Sequence, residues 1–124
     1  MINLIVSGHG EIANGLKSAL SIIGADLERI TFINFTNDPE KLKTDIMSAV
    51  KQKPGESFLI LTDLVGGTPF KTAALLSKEI DNIKVVGGVN LPMLLSIAFD
   101  DKSTLDELMA LAIKGGKDGI KEFA

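Results

Sequence analysis

The chain has no cysteine, no tryptophan and no tyrosine, and it has a single histidine. Without cysteine there is no disulfide and no thiolate metal site. One histidine leaves too few ligands for a conventional zinc centre. Phenylalanine is the only aromatic present, so most of the platforms on which bases stack are missing. The 13 basic residues are scattered among 16 acidic ones, for a formal net charge of −3. No basic stripe exists to neutralise a phosphate backbone, which argues against a nucleic-acid partner. No apolar run reaches the roughly 18 to 20 residues of a membrane span. No basic segment precedes the apolar N-terminal stretch, as a signal peptide would require. The expectation is a soluble cytoplasmic protein that uses neither metal nor cofactor.

What is present is an alternation of short apolar runs and helical stripes. At 124 residues, the length suits one domain, residues 1–124. Ile2 to Val6, Ile30 to Phe35, Phe58 to Thr62 and Ile83 to Val86 read as strands, the first ending at Ser7-Gly8. The third is almost wholly apolar, as in a parallel sheet covered on both faces. Between them, Ala13, Leu16, Leu20 and Ile23 recur at helical spacing, with Gly24 as a stop. Asp38-Pro39 reads as an N-cap and first helical residue. Gly66-Gly67-Thr68-Pro69 opens a third helix, and a fourth runs from about Pro92 to Phe99. Ser103 with Asp106 has the spacing of a capping box before a last helix. The tail from Gly115 to Ala124 suits either a helix or a short edge strand. Alternating strands and helices indicate an α/β fold, a doubly wound and mainly parallel sheet. Right-handed crossovers make the first and third strands neighbours, in the order 2-1-3-4.

In such sheets, ligands bind beyond the carboxyl ends of the strands, where strand order reverses. His9 follows the first strand there, and Asp63 follows the third. Adjacent strands lie about 4.8 Å apart, so the two side chains can reach one another. An imidazole attacks through the nitrogen that lacks a proton. A carboxylate accepting from the other nitrogen fixes the tautomer and steadies the charge that develops. Gly66, Gly67 and Thr68 at a helix N-terminus form an anion nest suited to phosphate oxygens. Taken singly, each feature has a plainer meaning: a surface histidine, a turn aspartate, a strand-to-helix turn. Their coincidence at two neighbouring strand ends points to phosphoryl chemistry. Met93 and Met109 fit helix faces and read as core.

The segments Ser7-Gly8-His9-Gly10, Thr62 to Phe70 and Gly87 to Met93 resemble the IIA component of the mannose family of the bacterial sugar phosphotransferase system, in the family's order and spacing. The resemblance implies that His9 accepts a phosphoryl group from the phosphorylated histidine-containing phosphocarrier protein. It implies transfer onward to a IIB subunit that works with membrane IIC and IID subunits. It also implies that Asp63 pairs with His9 and that Thr68 and nearby amides contact the phosphoryl group. It further implies a homodimer in which an antiparallel strand, here about Asp118 to Glu122, is exchanged. The IIB partner would be a separate polypeptide. The docking surface is expected around the strand ends, apolar, and aided by Phe70, Leu91 and Met93.

Three alternatives stay open on the sequence alone. The phosphotransfer subunit of dihydroxyacetone kinase would share the histidine but not the acceptor. A receiver-type domain would carry phosphate on Asp63, although Ser7-Gly8-His9 stands where its acidic pair belongs. A binding module for phosphorylated metabolites would use the Gly66-Gly67-Thr68 nest alone.

Overall fold

A computed structural model describes residues 2–123. The order of elements is β1 (Ile2–His9), α1 (Ile12–Ile23), β2 (Ile30–Phe35), α2 (Pro39–Lys51), β3 (Ser57–Thr62), α3 (Thr68–Glu79), β4 (Ile83–Gly87), α4 (Leu91–Ile97) and α5 (Leu105–Asp118). The four strands form one sheet in the order β2-β1-β3-β4, and every pairing is parallel. The order is the one expected, because each right-handed crossover lays its helix back on the sheet.

The unbroken apolar strands supply two cores, one on each face. Side chains alternate along a strand. Leu4, Val6, Leu59, Leu61 and Val86 therefore face one way, against Ala13 and Leu20 of α1, Met93, Leu94 and Ile97 of α4, and Leu108 and Ala112 of α5. Ile5, Phe58, Ile60 and Ile83 face the other way, against Leu42 and Ile46 of α2 and Ala73 and Leu76 of α3. The two central strands are buried on both sides, so polar residues there occur only near the strand ends.

The helix ends follow local chemistry. Gly24 closes α1 in the left-handed conformation, at φ 94°. The Asp38 side chain accepts from the backbone N–H groups of Glu40 and Lys41, ahead of Pro39. The capping box lies one residue later than the sequence suggested. Thr104 accepts from the N–H of Glu107, whose side chain accepts from the N–H of Thr104. Ser103 is occupied elsewhere: its N–H and its hydroxyl both donate to the Asp100 carboxylate.

The first part of the C-terminal segment takes the helical form, one of the two that its pattern allowed. Asp118 is the last residue of α5, and residues 119–123 form no strand. The strand expected over Asp118 to Glu122 was one exchanged between two subunits; in the single chain Asp118 is helical, and Gly115 and Gly116 of α5 pack closely on α4. Ala124 lies outside the described residues. Among the described residues, no helix is long and apolar enough to cross a membrane.

Candidate active site

The site lies at the carboxyl ends of β1 and β3, where the chain order turns outward on either side of β1. β1 runs further than the sequence indicated and ends on His9 itself. Residue 9 pairs with Phe35 of β2, and the N–H of Gly10 donates to the Phe35 carbonyl at 2.7 Å. The backbone under the histidine is therefore held by the sheet.

Asp63 follows β3 and turns back toward His9. Its Oδ2 accepts from the backbone N–H of His9 at 3.0 Å and from the imidazole Nδ1 at 2.9 Å. Gly8 makes this closure possible, because a methyl group there would stand 2.9 Å from Asp63 Cγ and 2.2 Å from Ile12 Cγ2. The side chain of Asp63 is 13% exposed and that of His9 47%. Burial pushes the Asp63 carboxyl up. The hydrogen bonds from the His9 backbone and ring, with the ring's charge, outweigh that push and hold the carboxyl below its usual range. An ionised carboxylate can only accept. In the neutral imidazole the proton therefore sits on Nδ1, facing Asp63, and Nε2 carries the free lone pair.

Two further contacts fix the ring. Phe35 meets it edge to face, with centroids 5.7 Å apart and planes at 83°. Gly67 lies against its other end: a methyl group at 67 would stand 2.8 Å from Cε1 and 3.5 Å from Nε2. Phe35 was missed in the sequence, since an aromatic at a strand end reads as core. The registration of His9 opposite it could have raised the question.

The segment after Asp63 makes a tight turn. The N–H of Gly67 donates to the Leu64 carbonyl at 3.0 Å, and Gly66 takes φ 84°, a conformation that favours glycine. Gly67 thus spends its own amide inside the turn and gives the ring room, rather than offering a donor. Thr68 is the first residue of α3, whose N-cap, Gly67, has no side chain to cap it. The N-terminal amides of α3 are accordingly available to an anion.

The sequence-derived residues therefore divide. His9 is hydrogen-bonded to Asp63 and has Gly67 against its ring, and Gly66 and Thr68 flank them in the turn and at the helix start. The apolar rim differs from the one expected. Met93 is 5% exposed and belongs to the core, as its helix-face position indicated, so it cannot aid docking. Phe70 and Leu91 are half-buried. The exposed apolar side chains beside the site are instead Ile12, Leu64 and Val65. Asp63 is poorly placed as a phosphate acceptor itself, with Oδ2 taken by His9 and Oδ1 buried.

A family model described as EIIA-man, PTS system fructose IIA component, matches residues 3–113. The chain is 30% identical over 125 residues to the PTS system mannose-specific EIIAB component of Escherichia coli (strain K12), across 97% of this chain and 39% of that protein. It thus spans well under half of that relative. It is 34% identical over 99 residues to the PTS system sorbose-specific EIIA component of Lacticaseibacillus casei, across 78% of this chain and 72% of that protein. The crystal structure of phosphotransferase system component EIIA from Streptococcus agalactiae superposes with a TM-score of 0.91 at 31% identity, covering 98% of this chain and 97% of that one.

Proposed function

This chain belongs to the mannose family of phosphotransferase-system IIA components, and from that premise we propose that it carries a phosphoryl group on Nε2 of His9. The observation that carries the reading is the hydrogen bond between Nδ1 and Asp63, which leaves Nε2 as the free nitrogen of a half-exposed ring.

The donor is the phosphohistidine of a histidine-containing phosphocarrier protein, and the acceptor is a IIB subunit serving membrane IIC and IID subunits. The exchange takes place in the cytoplasm, and the working form is a homodimer. The Nε2 lone pair attacks phosphorus in line as the bond from phosphorus to the donor nitrogen breaks. The electron pair of that bond returns to the donor ring, so one P–N bond replaces another. Positive charge develops on the His9 ring, and Asp63 offsets it through the Nδ1 proton. The phosphoryl oxygens meet the N-terminal amides of α3 and the Thr68 hydroxyl, where fixed donors stabilise charge that spreads over them. Passage to IIB is the same step reversed. Positioning accounts for most of the catalysis, because the reacting nitrogen is already aimed and held.

The test is phosphoryl uptake from the phosphorylated phosphocarrier, read by intact mass, for wild type and His9→Ala. Wild type gains one phosphoryl group, and His9→Ala gains none while keeping the circular-dichroism spectrum of the native fold. Uptake by His9→Ala at the wild-type rate would refute the assignment.

A further inference from the structure

The third segment singled out in the sequence, which begins at Gly87, takes no part in the chemistry above. Gly87 is the last residue of β4 and pairs with Thr62, directly before Asp63. Its φ is not positive, unlike that of Gly88 at 86°. Backbone conformation therefore permits a side chain at 87, and only space forbids it. A methyl group there would stand 2.5 Å from Val65 Cγ2, 3.2 Å from Val65 Cα and 3.1 Å from Phe70 Cδ2. Ordinary carbon contacts are about 3.5 to 4.0 Å. Val65 is β-branched and stiff about χ1, and its Cα is close as well, so the backbone of the turn must yield.

The turn is exposed at Leu64 and Val65, but its last residue lies against the histidine, so a shift at Val65 is passed to the ring. Val65 and Gly66 are its central residues, closed by the Gly67 to Leu64 hydrogen bond. Gly67 in turn rests against Cε1 and Nε2 of His9. The contacts form an unbroken series from the end of β4, through Val65 and Gly67, to the reacting nitrogen. We propose that Gly87 is a positioning residue for phosphoryl transfer: its missing side chain seats Val65 on the strand end and so sets the turn that confines the His9 ring. The proposal rests on the phosphoryl-carrier reading, and it adds a residue on the far edge strand to the groups that decide the geometry at Nε2.

The test compares wild type, Gly87→Ala, Val65→Ala and the double variant. The small donor phosphoramidate, which transfers its phosphoryl group to histidine with release of ammonia, removes partner docking from the measurement. Nitrogen NMR of the labelled His9 ring is recorded on the same samples. Gly87→Ala should keep its fold, show displaced ring resonances and take up phosphate about 10- to 100-fold more slowly, as a displacement approaching 1 Å would produce. Val65→Ala removes the nearest clashing atom, so the double variant should come within about fivefold of Val65→Ala. Wild-type rates and ring resonances in Gly87→Ala would overturn the proposal, as would an equal loss in the double variant. If Gly87→Ala does not fold, the double variant decides. The remaining 3.2 Å contact with Val65 Cα predicts shifted resonances relative to Val65→Ala, and identical rate and resonances would overturn the proposal. Wild type that takes no phosphate would instead overturn the carrier reading, and the ring resonances would still decide the positioning role.

Discussion

Replacing Asp63 by Asn separates the charge of the carboxylate from its shape. Oδ2 of Asp63 accepts two hydrogen bonds, from the His9 N–H at 3.0 Å and from Nδ1 at 2.9 Å. An asparagine oxygen can occupy the same place and accept both. The ring should therefore stay in its rotamer, and what changes is the response to charge on the imidazole as Nε2 attacks. A hydrogen bond to an ionised group contributes about 1.5 to 3 kcal/mol, against about 0.5 to 1.5 for a neutral pair. The difference is about 1 to 1.5 kcal/mol, and about 1.4 kcal/mol is a factor of ten in rate. Asp63→Asn should slow uptake about tenfold. Asp63→Ala removes the acceptor altogether and frees the ring, so its loss should approach about 100-fold. The assay is rapid-quench single turnover with saturating phosphorylated phosphocarrier, which reads the transfer step apart from binding. A wild-type rate for Asp63→Asn, or a smaller loss for Ala than for Asn, would refute the reasoning.

The other predictions concern the same carboxylate, the ring's confinement and the core. Because Asp63 is held below its usual range in the folded chain, its contribution to stability is complete above its unfolded value of about 3.9 and is lost as pH falls through the lower folded value. Denaturant midpoints should show wild type ahead of Asp63→Asn near neutrality, with the advantage fading only below about pH 4; an advantage that persists unchanged to acid unfolding would contradict the linkage. Gly67→Ala puts a methyl group 2.8 Å from His9 Cε1 and should slow uptake at least about tenfold; a wild-type rate in the same assay would show that the ring has slack. Leu59 is fully buried in a central strand, so Leu59→Ala should lower stability by about 2 to 5 kcal/mol. In the same urea titrations Thr31→Ala, on the exposed edge strand, should stay within about 0.5 kcal/mol of wild type.

Much of this architecture was legible because it rests on short-range chemistry. Apolar runs in Leu4 to Val6 and Leu59 to Leu61 announce strands covered on both faces. Asp38-Pro39 and Gly24 mark helix ends by the bonds they make or the conformation they allow. The handedness of crossovers does the rest, and it brings His9 and Asp63 to neighbouring strand ends. What escaped depends on choices between equal local patterns or on distant packing. Ser103 with Asp106 and Thr104 with Glu107 have the same spacing, but the longer Glu107 side chain reaches back to the N-cap N–H, while Ser103 bonds to Asp100. Met93 reads both as core and as a docking residue, and its cover by α5 selects the first. Gly67 looks like an amide donor until the Leu64 carbonyl claims its N–H. The role of Phe35 needed the register of β1 on β2.

The histidine is the only one in the chain, so a histidine-selective nitrogen label reports on residue 9 alone. After phosphoryl uptake from the phosphocarrier, phosphorus–nitrogen correlation NMR should show the new bond at Nε2, with Nδ1 still protonated and facing Asp63. A bond at Nδ1, or phosphate on any other residue, would contradict the account.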